Sequence, residues 1–518
     1  MNKLLKISLL IVILLPITIS AQVTPQQVDE IMNEAMSTFQ VAGAAIGIVK
    51  DGEVVMTKGY GVQSTATQKP VTERTNFEIA SNTKAFTAAA LSILAEEGKL
   101  DWKDPVIKYI PEFTMYDEYV KQHFTIADLA SHHSGMGLGA GDLMWFPDGT
   151  DFTIDDLMAS FQYQKQTSEF RTKFDYNNQL FIVAGEVVAR VSGMSWEDFV
   201  TERIFKPLGM NNSYTSIRNI TDQKYLAAPH AQKPDGTPYP IANNTHPMNG
   251  AAAGIVANVE DLSKWMLLQL NEGRYGKKLK DTLFTEKSQQ IMWYLHTVRP
   301  GRNERYNTHF SGYGLGWFLS DVKGNMVAQH TGGMPGMLSK TLLIPDMELG
   351  IVILTNTSDG GAGLFGSVSN TLMDMYLGMD DYGWIEKYSK YMKSSAEKAE
   401  AVVTEVWGKI EKADDSQIAF DNYVGTYKDP WFGDMVVEVK NGKQWLTSKR
   451  SPHLNGELFY YQANTYVVKW EFTAMPCDAF IIFSLDENGL AQSMEIKPVS
   501  PATDFSFDFQ DLHPVRVD

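Results

Sequence analysis

The chain has one cysteine, Cys477, in 518 residues. No internal disulfide can form, and no multi-cysteine metal site exists. Positive charge is scarce as well: 45 Lys and Arg stand against 62 Asp and Glu, a formal net charge of −17. Such an acidic chain is poorly suited to nucleic acid or anionic lipid, whose phosphates call for basic side chains. Beyond the N-terminus no apolar run is long enough to span a bilayer. Internal repeats and low-complexity tracts are lacking too.

The first residues carry Lys3 and Lys6, then an almost wholly apolar run from Ile7 to Ile17, then Thr18-Ile19-Ser20-Ala21. This reads as a secretory signal peptide over residues 1–21, cleaved after Ala21. No cysteine stands at that site to carry a lipid, so the expected product is periplasmic or secreted, with no integral membrane segment. The remaining length suits two or three domains with sizeable cores.

One stretch organises the rest. Ser81-Asn82-Thr83-Lys84 stands where the strand-like Phe77-Glu78-Ile79-Ala80 gives way to Ala85–Glu97, whose apolar residues recur at helical spacing. Residues three apart share a helix face, so Ser81 and Lys84 can touch. The helix N-terminus favours negative charge developing beside Ser81. Lys84 has no acidic neighbour in sequence to keep it charged. These are the ingredients of an activated serine nucleophile. The spacing alone is weak, since Ser395-Ala396-Glu397-Lys398 repeats it inside a charged helix.

Elsewhere, Gln26–Thr38 has the pattern of an amphipathic helix, and Asp51-Gly52 joins two β-rich runs as a hairpin. The region from Thr125 to about Leu319 is mostly helix and loop. Strands return at Asn325–Gln329, which runs into His330-Thr331-Gly332-Gly333 as the strand's end, and at Ser339–Ile344 and Leu349–Thr355. Strands flanking a helical middle predict one antiparallel sheet built from distant parts, an α+β fold with a mostly helical subdomain. The charged run 381–415 reads as a helical linker, and 416–518 as a small all-β barrel. The barrel's aromatics (Trp431, Trp445, Phe459, Tyr460, Trp470) read as core.

Two further motifs supply chemistry. Tyr176-Asn177-Asn178 precedes a buried helix. A tyrosine oxygen accepts a proton only if its pKa falls from about 10, which a neighbouring ammonium promotes. Asn178 offers an amide able to bond both Lys84 and a substrate carbonyl. In His330-Thr331-Gly332-Gly333 the glycines permit close approach of a substrate backbone, and the N–H groups of Gly333 and Ser81 would form an oxyanion hole. His132-His133 are adjacent and therefore unsuited to a shared metal, and His246 and His309 read as surface or loop residues. No cofactor and no metal is expected.

Ser81-x-x-Lys84, Tyr176-x-Asn178 and His330-Thr331-Gly332, in this order and at these separations, resemble the signature motifs of the class C β-lactamase and penicillin-binding serine hydrolase family. Gly98-Lys99-Leu100-Asp101, Lys206-Pro207-Leu208-Gly209-Met210 and Tyr313-Gly314-Leu315-Gly316-Trp317 resemble further landmarks, and the likeness covers about Val23–Leu377. The resemblance implies a β-lactamase/transpeptidase-like domain over 22–380, with Ser81 as nucleophile and Lys84 and Tyr176 as the proton-transfer pair. Asn178 would be the positioner, and His330, Thr331, Gly332 and Gly333 the substrate-lining strand. β-Lactamases of the family carry Lys where this chain has His330. That departure points to a D-amino-acid-type peptidase, DD-peptidase or esterase, with a class C-like β-lactamase as the alternative. The substrate would be a small peptide, ester or β-lactam-like molecule. Tyr423-Val424-Gly425-Thr426-Tyr427 resembles the lipocalin-like C-terminal domain of some D-amino-acid-specific relatives. A reading of another class is a non-catalytic binder of cell-wall fragments or apolar ligands.

Overall fold

The computed structural model describes residues 23–414 and 419–518. The expected signal segment, 1–21, lies outside the described residues.

The main sheet has eight strands: β1 (Gly43–Lys50), β2 (Glu53–Gly61), β3 (Thr297–Val298), β4 (Ser311–Tyr313), β5 (Phe318–Val322), β6 (Asn325–Met334), β7 (Met337–Ile344) and β8 (Leu349–Thr355). Their spatial order is β2-β1-β8-β7-β6-β5-β4-β3, antiparallel throughout. The hairpin β1–β2 turns on Asp51 and Gly52, both at positive φ (53° and 78°), as a two-residue primed turn requires. β1 meets β8 with Ile46 opposite Ile353, so the sheet closes between remote parts of the chain.

Six long helices matter here: α1 (Pro25–Thr38), α2 (Thr83–Glu96), α3 (Gln179–Ser192), α4 (Val259–Leu270), α5 (Asp359–Tyr376) and α6 (Trp384–Ile410). On one face, Val28 and Met32 of α1 and Leu364 and Val368 of α5 pack with Ile46, Ile351 and Ile353. On the other, α2 and α4 pack with Val352 and Leu354, and Phe86 stacks on Trp265 with centroids 3.9 Å apart. Every residue of α2 from Thr83 to Leu94 is buried, polar ones included. A helix buried on all sides holds its side chains far more rigidly than one lying on a surface.

The C-terminal region is a closed barrel of eight antiparallel strands, from Gly425–Asp429 to Val515–Arg516. Tyr423, Tyr466 and Phe483 fill its interior edge to face, with centroids 4.9–6.0 Å apart. Of the aromatics expected in the core, Trp431 and Trp470 are buried, and Trp445, Phe459 and Tyr460 are half-buried. Helix α6 joins both halves: Ile385 packs in the core of α1 and α5, and Val406 packs on Val467 and Val499 of the barrel. Ser395 and Lys398 lie on this helix.

One strand-like run finds its partner outside the main sheet, and two local expectations change. Phe77–Glu78 pairs with Val256–Ala257 in a separate two-stranded sheet, not in the main one. His330–Gly333 lies within β6, because pairing with β7 continues to Met334 opposite Met337. His246 is buried, its Nε2 2.8 Å from Thr150 Oγ1, because the loop carrying it folds inward; His309 is exposed as expected.

Candidate active site

Ser81 sits in a 3-10 turn, Ala80–Asn82, that runs directly into α2. Ala80 has φ +46°, a conformation that costs a side-chain-bearing residue energy and fixes the direction of the turn. β6 passes so close that a Cβ on Gly332 would stand 2.1 Å from the Ile79 carbonyl oxygen. That motif glycine is what lets the strand lie against the serine turn.

Lys84, the second residue of α2 and one turn on from Ser81, is fully buried. Its Nζ lies 2.9 Å from Ser81 Oγ, 2.8 Å from Asn178 Oδ1 and 3.0 Å from the Ala252 carbonyl oxygen. Burial lowers its pKa from 10.5 to about 7, with the charge of Asp142 pulling the other way. A neutral amine has two N–H bonds and one lone pair. Asn178 Oδ1 and Ala252 O can only accept, so they take the two N–H groups and leave the lone pair facing the Ser81 hydroxyl. That is the arrangement of a general base.

Asn178 stands at the N-cap of α3 but makes no side-chain cap bond. Asn177 supplies it, Oδ1 accepting from Leu180 N at 3.1 Å. Asn178 is thereby free to accept from Lys84 and to donate through Nδ2 to Asp142 Oδ2 at 2.8 Å. Asp142 is fully buried, and burial raises its pKa to about 7. Nothing in the local sequence marks this carboxylate.

Tyr176 lies beside the same amine, which stands 4.9 Å from its ring centroid. The expected lowering of its pKa is overturned: burial raises it well above 10, more than the hydrogen bond to Ser81 lowers it. Tyr176 is therefore a neutral phenol, able to pass a proton but not to store a negative charge. His132 packs on it with centroids 4.1 Å apart.

His330 is fully buried, and burial pushes its pKa down to about 3, so the ring is neutral. Nδ1 donates to the Thr331 carbonyl at 2.6 Å, which leaves Nε2 to accept from Tyr313 Oη at 2.8 Å. Ser81, Tyr176, Asn178, His330, Thr331 and Gly333 all line one cavity of about 380 Å³. Gly332 backs it, buried against Ile79. The predicted site residues thus converge. Among the described residues no cluster of three or more His, Cys, Asp or Glu gathers as a metal site.

The barrel completes the cavity. Met475, Asp504, Phe505 and Ser506 line it. Phe505 packs edge-on against Tyr176 at 5.9 Å, and Ser506 Oγ donates to Asp142 Oδ2 at 2.8 Å. Asp508 anchors the segment by accepting from Gly141 N at 2.6 Å and Leu143 N at 3.0 Å. Asp508→Ala would strand two buried N–H groups, at about 1–3 kcal/mol each. The expected result is a lower denaturation midpoint together with reduced turnover, because Phe505 and Ser506 lose their seat. Equilibrium unfolding and ester kinetics on the same variant check both; an unchanged midpoint would refute the anchoring role.

The profile of the family described as Beta-lactamase matches residues 28–365. The chain belongs to that family. A second match, to a domain of unknown function (DUF3471), covers residues 411–516, the barrel. Its relatives include an unguisins hydrolase of Aspergillus campestris (strain IBT 28561), 28% identical over 389 residues, 72% of this chain and 70% of that protein. Protein flp of Staphylococcus aureus (strain N315) is 28% identical over 333 residues, 64% of this chain and 63% of that one. In overall fold the chain is similar to an octameric penicillin-binding protein homologue from Pyrococcus abyssi: TM-score 0.59 at 20% identity, covering 95% of this chain and 99% of that one.

Proposed function

We propose that the protein is an exported serine acyl-hydrolase that acts through a Ser81 acyl-enzyme, and that its substrates are D-amino-acid-type peptides or esters in preference to β-lactams. The observation that carries this reading is the Lys84 amine, buried, held 2.9 Å from Ser81 Oγ and brought to a pKa of about 7. Neutral Lys84 takes the Ser81 proton as Oγ attacks the carbonyl. The oxyanion rests on the N–H groups of Ser81 and Gly333. Tyr176, as a neutral phenol, passes the proton from Lys84 to the leaving group, and water then repeats the sequence on the acyl-enzyme. Asn178 and Asp142 orient the amine throughout.

The neutral His330 favours peptidase or esterase chemistry over lactamase chemistry, because the strand offers no cation of its own to a lactam carboxylate. The hydrolase name carried by the Aspergillus relative is in keeping with acyl transfer. A panel of chromogenic esters, D- and L-aminoacyl amides, D-Ala-D-Ala peptides and nitrocefin tests the assignment, each assayed beside Ser81→Ala. Esters and D-configured amides are expected to turn over, with nitrocefin slow. Rapid nitrocefin turnover would replace the reading with a β-lactamase. Inert esters with measurable muropeptide binding would replace it with a non-catalytic binder.

A further inference from the structure

A second cavity, of about 340 Å³, lies across the main sheet from Ser81. Strand β7 shows the two faces side by side. Ser339 Oγ donates to the Ile79 carbonyl at 2.7 Å and accepts from Asn82 Nδ2 at 2.8 Å, which holds the serine turn. Successive residues of a strand point to opposite faces. Lys340, the next residue, therefore points away from that turn, to the side where Leu342 and Ile344 pack with α1 and α5. There it lines the second cavity together with Gln329 of β6, Asn370 of α5 and Tyr388 of α6.

Lys340 is only 8% exposed, and Lys84 is the other buried lysine among the described residues. The two are held in opposite ways. Lys84 meets three oxygens, whereas Lys340 makes no hydrogen bond, ion pair or ring contact among the described residues, and burial is the one influence on its charge. Burial brings its pKa down to about 8, so at neutral pH the amine is still mostly protonated, with three N–H donors unfilled. A buried ammonium without a counter-charge is costly. Among the described residues no Asp or Glu lines this cavity, and Arg302 stands exposed on its wall as a second cation. Asp374, next in the chain to the lining residue Met373, is already taken by Arg305, Tyr306 and Trp384.

The neutral groups are suited to the same ligand. Tyr388 Oη accepts from Asn370 Nδ2 at 3.2 Å, so its own proton is left for a further acceptor. Val327, Leu342 and Met373 give the wall an apolar side. We propose that this cavity is a second ligand site, separate from the catalytic one, for a small organic anion whose carboxylate meets Lys340 and whose apolar body lies against Val327, Leu342 and Met373. The unmatched amine selects the charge, and the apolar wall selects the body that carries it. The site stands independently of the acyl-enzyme reading, since it shares no side chain with that chemistry.

The test titrates the full chain near neutral pH with benzoate and with benzamide, its uncharged counterpart of similar shape, and follows binding by calorimetry. Benzoate is expected to bind saturably with a Kd at or below about 1 mM, and benzamide to bind at least about tenfold more weakly. In Lys340→Met the benzoate affinity is expected to fall by about tenfold or more, with the unfolding midpoint level or raised because an uncompensated buried charge is gone. Photolabelling the wild type with 4-azidobenzoate locates the site without any substitution. The label is expected on the peptide carrying Asn370 and Tyr388, which lies outside the Ser81 cavity. No saturable benzoate binding below about 10 mM overturns the proposal, and so does equal affinity for benzamide. Undiminished benzoate affinity in Lys340→Met, or label confined to residues around Ser81, overturns it equally.

Discussion

Ser81→Ala is expected to lower ester turnover by roughly ten-thousand- to a million-fold, the range seen when the nucleophile of a serine hydrolase is removed. The hydroxyl is the one group in the cavity that meets a general-base lone pair at hydrogen-bond distance, so no neighbour can replace it. The residual rate would come from the oxyanion N–H groups and from substrate positioning. Ser81 is not part of the packed core: its hydroxyl is partly accessible at the start of α2, where Asn82 and Thr83 carry the buried contacts. The unfolding midpoint of the variant is therefore expected to stay close to that of the wild type. Turnover within tenfold of wild type would remove Ser81 from the mechanism.

The second large effect belongs to Lys84. Lys84→Met keeps most of the side-chain volume but removes the lone pair, and the loss of a general base costs about a hundred- to ten-thousand-fold. The pH dependence gives the sharper test. Because the folded-state pKa of Lys84 is depressed to about 7, the amine is protonated below that pH and has no lone pair for the Ser81 proton. With a neutral ester, wild-type kcat/KM is expected to rise through a midpoint near pH 7 and then level off. The Asp142 charge raises the Lys84 pKa, so Asp142→Asn should move this midpoint to lower pH while keeping an oxygen for Asn178 to bond. A profile flat from pH 5 to 9, or a midpoint shifted upward in Asp142→Asn, would contradict the assignment of Lys84 as base.

The sequence carried the parts of this site that are local. Ser81 and Lys84 are one helical turn apart, so their contact follows from periodicity once α2 is recognised. The Asp51-Gly52 hairpin and the strands that follow His330 have equally local signals. Tyr176 lines the cavity, but its protonation behaviour differs from the expectation, because its pKa depends on burial by His132, Phe505 and the barrel, none of which a local pattern reveals. Asp142 and Ser506 were missed for the same reason. Each is an ordinary loop residue until the chain folds, and Ser506 comes from a region whose strand spacing spoke only of a separate barrel. Asp504-Phe505-Ser506-Phe507-Asp508 alternates like a strand, yet it runs across the cavity as a strap fastened by Asp508. Gly139, whose φ is +74° and where a Cβ would stand 2.5 Å from the Phe505 carbonyl oxygen, shapes the loop that receives that strap.

The account depends on one covalent event, and one measurement addresses it directly. The full chain is treated with a fluorophosphonate, digested, and the modified peptide sequenced by mass spectrometry. A single phosphonylated residue is predicted at Ser81, formed more slowly below pH 7 and absent from Ser81→Ala. Labelling that persists undiminished in Ser81→Ala, or that falls on another residue, would mean that the hydroxyl beside Lys84 is not the nucleophile.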